Sequence, residues 1–168
     1  KFGYEFNQPL DNSLDNCTSL TYIKFGCKFN CPLGYSLNNC TNLSIIVFGY
    51  EFNQPLANCF NNCTSLTNIN FGEQFNHPLC NFLNNCTSLT HIGLNKCFNQ
   101  KEDLPFNIRF LSLNSNNAYY IEYLPDTIEE IFFGLIFNLE LKNLPSSIKK
   151  ITFDANSMYN QKLNCLPQ

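Results

Sequence analysis

The pair Phe-Asn recurs at residues 6, 29, 52 and 75, and Asn-Cys-Thr recurs at 16, 39, 62 and 85, so both motifs return at one constant interval. That interval constrains the fold more than any single residue does. A unit of this size cannot bury its own apolar side chains, so the copies must bury one another by stacking into a solenoid. Phe-Gly keeps the same period at residues 2, 25, 48 and 71, and the fifth copy has drifted to Leu94-Asn95. Beyond it the period shortens. Leu-Pro occurs at 104, 124, 144 and 166, in steps of 20, 20 and 22. The chain therefore reads as one repeat domain over 1–168, with 23-residue units over 1–97 and shorter, ~20-residue units over 98–168. It opens on Lys-Phe-Gly, which matches the middle of a unit (residues 24 to 26), and closes on the start of another, LNCLPQ. Both features predict a piece of a longer protein. Its terminal coils would be capped by flanking sequence or by end-to-end contact with another subunit.

Each unit carries an apolar skeleton Leu-x-x-Ile-x-Phe, as in Leu20, Ile23, Phe25 and in Leu66, Ile69, Phe71. This matches the strand segment of a leucine-rich repeat. The last two apolar positions are two apart and share one face of a strand, while their neighbours point the other way. The expected fold is a β-rich, leucine-rich-repeat-like solenoid with a single parallel sheet, about seven stacked coils and little α-helix. Phe29 and Leu33, Phe52 and Leu56, and Phe75 and Leu79 are expected to fill the far side of each coil. Pro9, Pro32, Pro55 and Pro78 suit bends that need no ladder donor. Gly26, Gly49 and Gly72 follow the strands, where a turn with positive φ is expected.

At these residues the chain resembles the FNIP-repeat family, leucine-rich-repeat relatives of social amoebae and of giant DNA viruses of amoebae. The likeness lies in FG-x-x-FN-x-P-L, as at Phe71–Leu79, and in LP-x-S-I, as at Leu144–Ile148. It covers nearly the whole chain and fades over 94–123. The NCTSL variant is also similar to the repeats of bacterial surface proteins that share its period. The family resemblance implies a partner-recognition array, often preceded by an F-box that docks onto a ubiquitin ligase. No F-box lies within residues 1–168. The resemblance also implies a place in the cytosol of the host cell or in the virion.

Four of the ten cysteines, Cys17, Cys40, Cys63 and Cys86, share one repeat position. They are expected to line up as free thiols in an inward-facing column, in a reducing compartment. Cys27, Cys31, Cys59, Cys80, Cys97 and Cys165 fall where other copies carry varied residues, and read as surface substitutions. Asn16, Asn39, Asn62 and Asn85 lie in N-x-T sequons, but beside a buried cysteine they are expected to bond turn backbone. Asn7, Asn30, Asn53, Asn76, Asn99 and Asn138 are expected to satisfy buried backbone groups in the coil turns.

Catalytic patterns are lacking. Carboxylates are sparse and no glycine-rich phosphate loop is present. His77 and Cys80 form one histidine–cysteine pair where a structural zinc site uses two. The reading is a non-enzyme with no metal and no cofactor. The formal net charge of −3, with no basic run, argues against nucleic acid. No apolar run approaches the ~20 residues that span a bilayer, so no membrane contact is expected.

What remains is the row of side chains flanking each Ile or Leu on the outer face of the sheet. It comprises Tyr22 and Lys24, Ile45 and Val47, Asn68 and Asn70, His91 with Gly93, Phe110 with Ser112, Glu130 and Phe132, and Lys150 with Thr152. Ile45, Val47, Phe110 and Phe132 are strongly apolar, which is costly on a solvated face unless a partner covers them. The expected function is a non-catalytic protein-interaction scaffold that binds a host or viral protein, and the family resemblance implies that it is the recognition part of a ubiquitin-ligase receptor. The alternative is a structural component of a giant-virus particle or of its assembly.

Overall fold

A computed structural model describes residues 1–79 and 82–163. Cys80, Cys165 and the last Leu-Pro, at 166, lie outside the described residues, as does the candidate metal pairing of Cys80 with His77. Seven short strands form one sheet in chain order. They are β1 (Tyr22–Lys24), β2 (Ile45–Val47), β3 (Asn68–Asn70), β4 (His91–Leu94), β5 (Phe110–Leu113), β6 (Glu130–Phe133) and β7 (Lys150–Phe153). All six pairings are parallel. Each strand meets its neighbour one coil away, so the chain winds about six turns from β1 to β7. Ile23, Ile46, Ile69, Ile92, Leu111, Ile131 and Ile151 lie in one register. The sheet runs without a break across the change of period, since β4 pairs with β5 as fully as β5 with β6.

The core consists of columns, one residue per coil. Phe2, Phe25, Phe48 and Phe71 stack with ring centroids 5.3 to 5.8 Å apart. Phe6, Phe29, Phe52, Phe75 and Phe98 stack at 5.9 to 6.1 Å. Within a coil the two columns touch, as at 4.2 Å between Phe48 and Phe52. Parallel rings at these distances add about 0.5–1.5 kcal/mol per pair beyond burial, and this explains why both letters recur.

The glycines of Phe-Gly serve these columns differently from the sequence expectation. Gly26, Gly49 and Gly72 do not have positive φ; among the described glycines only Gly34 does. A Cβ on Gly49 would sit 1.8 Å from the carbonyl oxygen of Gly26, and Gly26 and Gly72 are equally crowded by the coil before them. Glycine is required there because successive backbones touch. The left-handed turns fall elsewhere, at Asp11, Gly34, Asn58 and Asn143, in the segments after the far-side leucines.

The asparagines of Phe-Asn form a ladder. Asn7 Oδ1 accepts the backbone N–H of Asn30 at 2.9 Å, Asn30 that of Asn53, Asn53 that of Asn76, and Asn76 that of Asn99. Most of these residues are solvent-exposed, so they pair margin backbone between coils; the expectation of buried groups inside a turn is corrected. The sequon asparagines also act between coils. Asn62 Nδ2 donates to Asn39 Oδ1, and Asn39 Nδ2 donates to Asp15 Oδ1, so these side chains bond one another in place of turn backbone.

The two kinds of unit share one turn. In the longer units Leu66 N donates to Cys63 O and Leu89 N to Cys86 O. In the shorter ones Ile108 N donates to Pro105 O, Ile128 N to Pro125 O, and Ile148 N to Pro145 O. Proline thus stands where cysteine stood. Cysteine donates its own N–H back along the chain, as from Cys63 to Phe60 O. Proline has no N–H to give, and the shorter coil dispenses with that preceding turn. Where Phe-Asn is lost, the one-turn helix α1 (Tyr119–Glu122) takes over. It buries Tyr120 against Phe98, with centroids 5.7 Å apart. Asn116 Oδ1 takes over the ladder and accepts Asn138 N.

Cys40, Cys63 and Cys86 are buried in a column, and Cys17 is half-buried at its start. Cys63 Sγ donates to Leu37 O at 3.2 Å. Burial pushes the thiols of Cys63 and Cys86 up to about 12 and that of Cys40 up to about 11. Cys59 corrects the surface expectation. It is a core residue, 1% exposed, whose thiol burial also pushes up to about 12. Cys27, Cys31 and Cys97 are half-buried. The eight described cysteines are all free.

Candidate functional site

The parallel register places the outward row as two columns on one surface. Tyr22, Ile45, Asn68, His91, Phe110, Glu130 and Lys150 form the first. Lys24, Val47, Asn70, Gly93, Ser112, Phe132 and Thr152 form the second. In β1, β3 and β6 the more exposed and the buried residues alternate as the pleat requires, whereas in β4 Gly93 is buried along with Ile92 and Leu94. The apolar members differ in exposure. Phe132 is 38% exposed, whereas Ile45, Val47 and Phe110 are half-buried by their neighbours on the face. Tyr22, at the β1 end, is exposed.

Over β3 to β7 the face dips into an open trough of about 310 Å³, lined among others by Asn70, His91, Gly93, Phe110, Ser112 and Phe132. The dip arises from sequence. Gly93 and Ser112 are the small members of the second column, between Asn70 on one side and Phe132 on the other. Asn70 leans over the gap, because a Cβ on Gly93 would lie 1.7 Å from Asn70 Oδ1. His91 stacks flat on Phe110, centroids 4.0 Å apart and planes 10° from parallel, and its Nδ1 lies 2.9 Å from Thr90 Oγ1. Burial lowers the His91 pKa, with Glu130 opposing weakly, so the imidazole is neutral at pH 7.

Charge gathers where the last strands begin. Arg109 Nη1 and Lys149 Nζ both contact Glu129, at 3.0 and 2.8 Å, and Lys150 Nζ contacts Glu130 at 3.1 Å. Lys149 beside Glu129 holds its carboxyl below the usual range, and Arg109 adds to this. Asp126 lines the same hollow as Arg109, Glu129 and Lys149, so three cations meet three carboxylates there. At the β1 end Lys24 is exposed. Chemically, the surface offers flat apolar rings, amide groups and balanced charge where β5 to β7 begin. His77 Nε2 is engaged at 3.1 Å by Asn53 O, away from this face. Among the described residues no three His, Cys, Asp or Glu side chains are grouped to hold a metal ion. No helix among them is long and apolar enough to cross a membrane.

Sequence reasoning finds the row but misses the trough. The ring stack needs His91 and Phe110 to be cross-strand partners, and that pairing makes a shorter step along the chain than any other in the sheet. The only sequence signal is the drift of the period at Leu94.

One strand per coil, a single parallel sheet and almost no helix define a leucine-rich-repeat-like β-solenoid. Over 99% of its length the chain is similar to the crystal structure of CroV588, a giant-virus protein described as a novel circular leucine-rich-repeat structure, with 27% identity and a TM-score of 0.68. The chain spans 28% of the length of that protein. No family model matches the chain, and no curated protein matches it.

Proposed function

We propose that this solenoid is a non-catalytic scaffold that binds a host or viral protein through the outer face of its sheet. The observation that carries this reading is the trough on β3 to β7, with Phe132 exposed beside the His91–Phe110 stack. An aromatic ring left in water on a rigid sheet gains by being covered, by about 25 cal/mol per Å² of apolar surface removed from solvent. Tyr22, Lys24, Ile45, Val47, Asn68 and Asn70 extend the same surface toward β1, while Glu130 and Lys150 bound it near β7. The Phe-Asn and Leu-Pro motifs, and the columns they build, support membership of the FNIP-repeat group and a role as the recognition part of a ubiquitin-ligase receptor. A second reading, a structural part of a giant-virus particle or its assembly, is favoured by the likeness to CroV588.

The test is a photo-crosslinking residue placed at Phe132 or, on the opposite side, at Asn53, in an extract of the cells that express the protein. The expected result is a discrete crosslinked protein from position 132 alone, lost when Ile45 and Lys24 are replaced by Asp. Equal crosslinking from both positions sinks the assignment of the face. Recovery of the chain as a stoichiometric part of purified particles, with no crosslink at 132, favours the structural reading.

A further inference from the structure

We infer that the cysteine column holds a redox-operated staple: with a low-molecular-weight disulfide such as oxidised glutathione, Cys17 and Cys40 join and tie the coil of β1 to the coil of β2.

The backbone brings the two residues together. Cys17 and Cys40 hold one repeat position in consecutive coils. Hydrogen bonds clamp those coils on both sides of the pair. Asn39 Nδ2 donates to Asp15 Oδ1 at 2.9 Å, and Asn42 Nδ2 donates to Thr18 O at 2.8 Å. The cysteines also share one acceptor. Leu14 O takes the N–H of Cys17 at 2.9 Å and the thiol of Cys40 at 3.4 Å, so Cys40 leans back onto the turn that carries Cys17. Neighbouring strands of a sheet lie about 4.8 Å apart, and a disulfide takes Cα atoms roughly 4.4–6.8 Å apart. The core rings of the same two coils keep to that range, at 5.4 Å for Phe25–Phe48 and 5.9 Å for Phe29–Phe52.

Access selects this pair. Cys17 is half-buried, whereas Cys40, Cys63 and Cys86 are buried. Cys63 repeats the same lean, its thiol donating to Leu37 O at 3.2 Å beside Cys40, but neither member of that pair meets solvent. Exchange runs in two steps. The Cys17 thiolate attacks one sulfur of the small disulfide, forms a mixed disulfide and releases one small thiol. The Cys40 sulfur, having given up its proton, then attacks Cys17 Sγ, and the second small thiol leaves with a proton. Two protein thiols are oxidised and one small disulfide is reduced to two thiols. Burial pushes the Cys40 thiol up to about 11, with Cys17 and Asp15 as its ionisable neighbours, so closure is the slower step. The loop that closes contains β1. Closing it fixes β1 against β2, with Tyr22 beside Ile45 and Lys24 beside Val47 on the outer face.

The experiment incubates the folded chain with oxidised glutathione at pH 8 and maps its disulfides by peptide mass spectrometry without reduction. The expected product carries a Cys17–Cys40 crosslink, unfolds at a urea midpoint about 1 M higher than the reduced chain, and reverts fully with dithiothreitol. Cys40→Ala stops the reaction at a mixed disulfide on Cys17, with no rise in midpoint on oxidation. Cys17→Ala leaves Cys40 reduced. Circular dichroism checks that both variants fold, and if either does not, the crosslink map and midpoint of the parent chain decide. A Cys17 that stays unmodified, a mixed disulfide that never closes, a crosslink from Cys17 to any other cysteine, or a Cys17–Cys40 crosslink that leaves the midpoint unchanged overturns the inference.

Discussion

Gly49→Ala tests whether the coils are held apart at the shortest distance their backbones allow. The added Cβ would lie 1.8 Å from Gly26 O and 2.6 Å from its carbonyl carbon. An ordinary carbon–oxygen contact is about 3.3 Å, so the two coils must part by more than ~1 Å at this point. The inter-coil bonds on either side, Phe25 N to Val47 O and Glu51 N to Cys27 O, are both 2.9 Å and would pass out of hydrogen-bonding range. Losing two such bonds costs about 2 kcal/mol. Loosening the Phe25–Phe48 and Phe29–Phe52 stacks costs about 1–3 kcal/mol more. Alanine returns about 0.4–1 kcal/mol by stiffening the unfolded chain, because this glycine is not in the left-handed region. The net expectation is a loss of about 2–4 kcal/mol, read by urea unfolding followed by far-ultraviolet circular dichroism. Gly3 supplies the internal control. It holds the same motif position, yet a Cβ there meets nothing within 4 Å, and Gly3→Ala should change stability by less than about 0.5 kcal/mol. If Gly49→Ala is as mild as Gly3→Ala, close approach is not what glycine provides.

Two further measurements probe the interior and the face. Iodoacetamide at pH 8, quantified by peptide mass spectrometry, should label Cys27, Cys31 and Cys97 in the folded chain and spare Cys59, Cys63 and Cys86, whose burial pushes their thiols up to about 12; equal labelling of all six contradicts the column. Because burial lowers the His91 pKa below its ordinary 6.5, the unfolded chain binds a proton there that the folded chain does not. Stability should therefore be unaffected by this group above pH 6.5 and fall as pH drops below it, until the folded pKa is reached. Urea melts between pH 7 and 5 should show a steeper decline for the parent chain than for His91→Gln, and parallel curves refute the assignment.

How much the sequence reveals depends on whether a feature repeats. The strands, the register and the phenylalanine columns follow from letters that return at a fixed interval, since each copy faces its own image one coil away. Phe-Gly is plain as a motif but misleading as to its reason, because contact between successive backbones is invisible in a single unit and arises only when two are stacked. Cys59 misleads on related grounds. Its neighbours in register are not cysteines, and comparing letters at one position says nothing of which way that position points. Tyr120, filling the phenylalanine column from a helix, has no repeat equivalent at all. The trough is the least legible element, because it arises from a glycine and a serine meeting side by side across the joint with the shortest spacing.

The turn shared by the cysteine and proline coils has a consequence for how such a chain changes over time. Since both turns deliver the backbone to the next strand in the same register, a few residues can come or go from the rear of a coil without shifting what the front displays. Rear length and frontal recognition are thereby uncoupled: selection can reshape one while the other stands still.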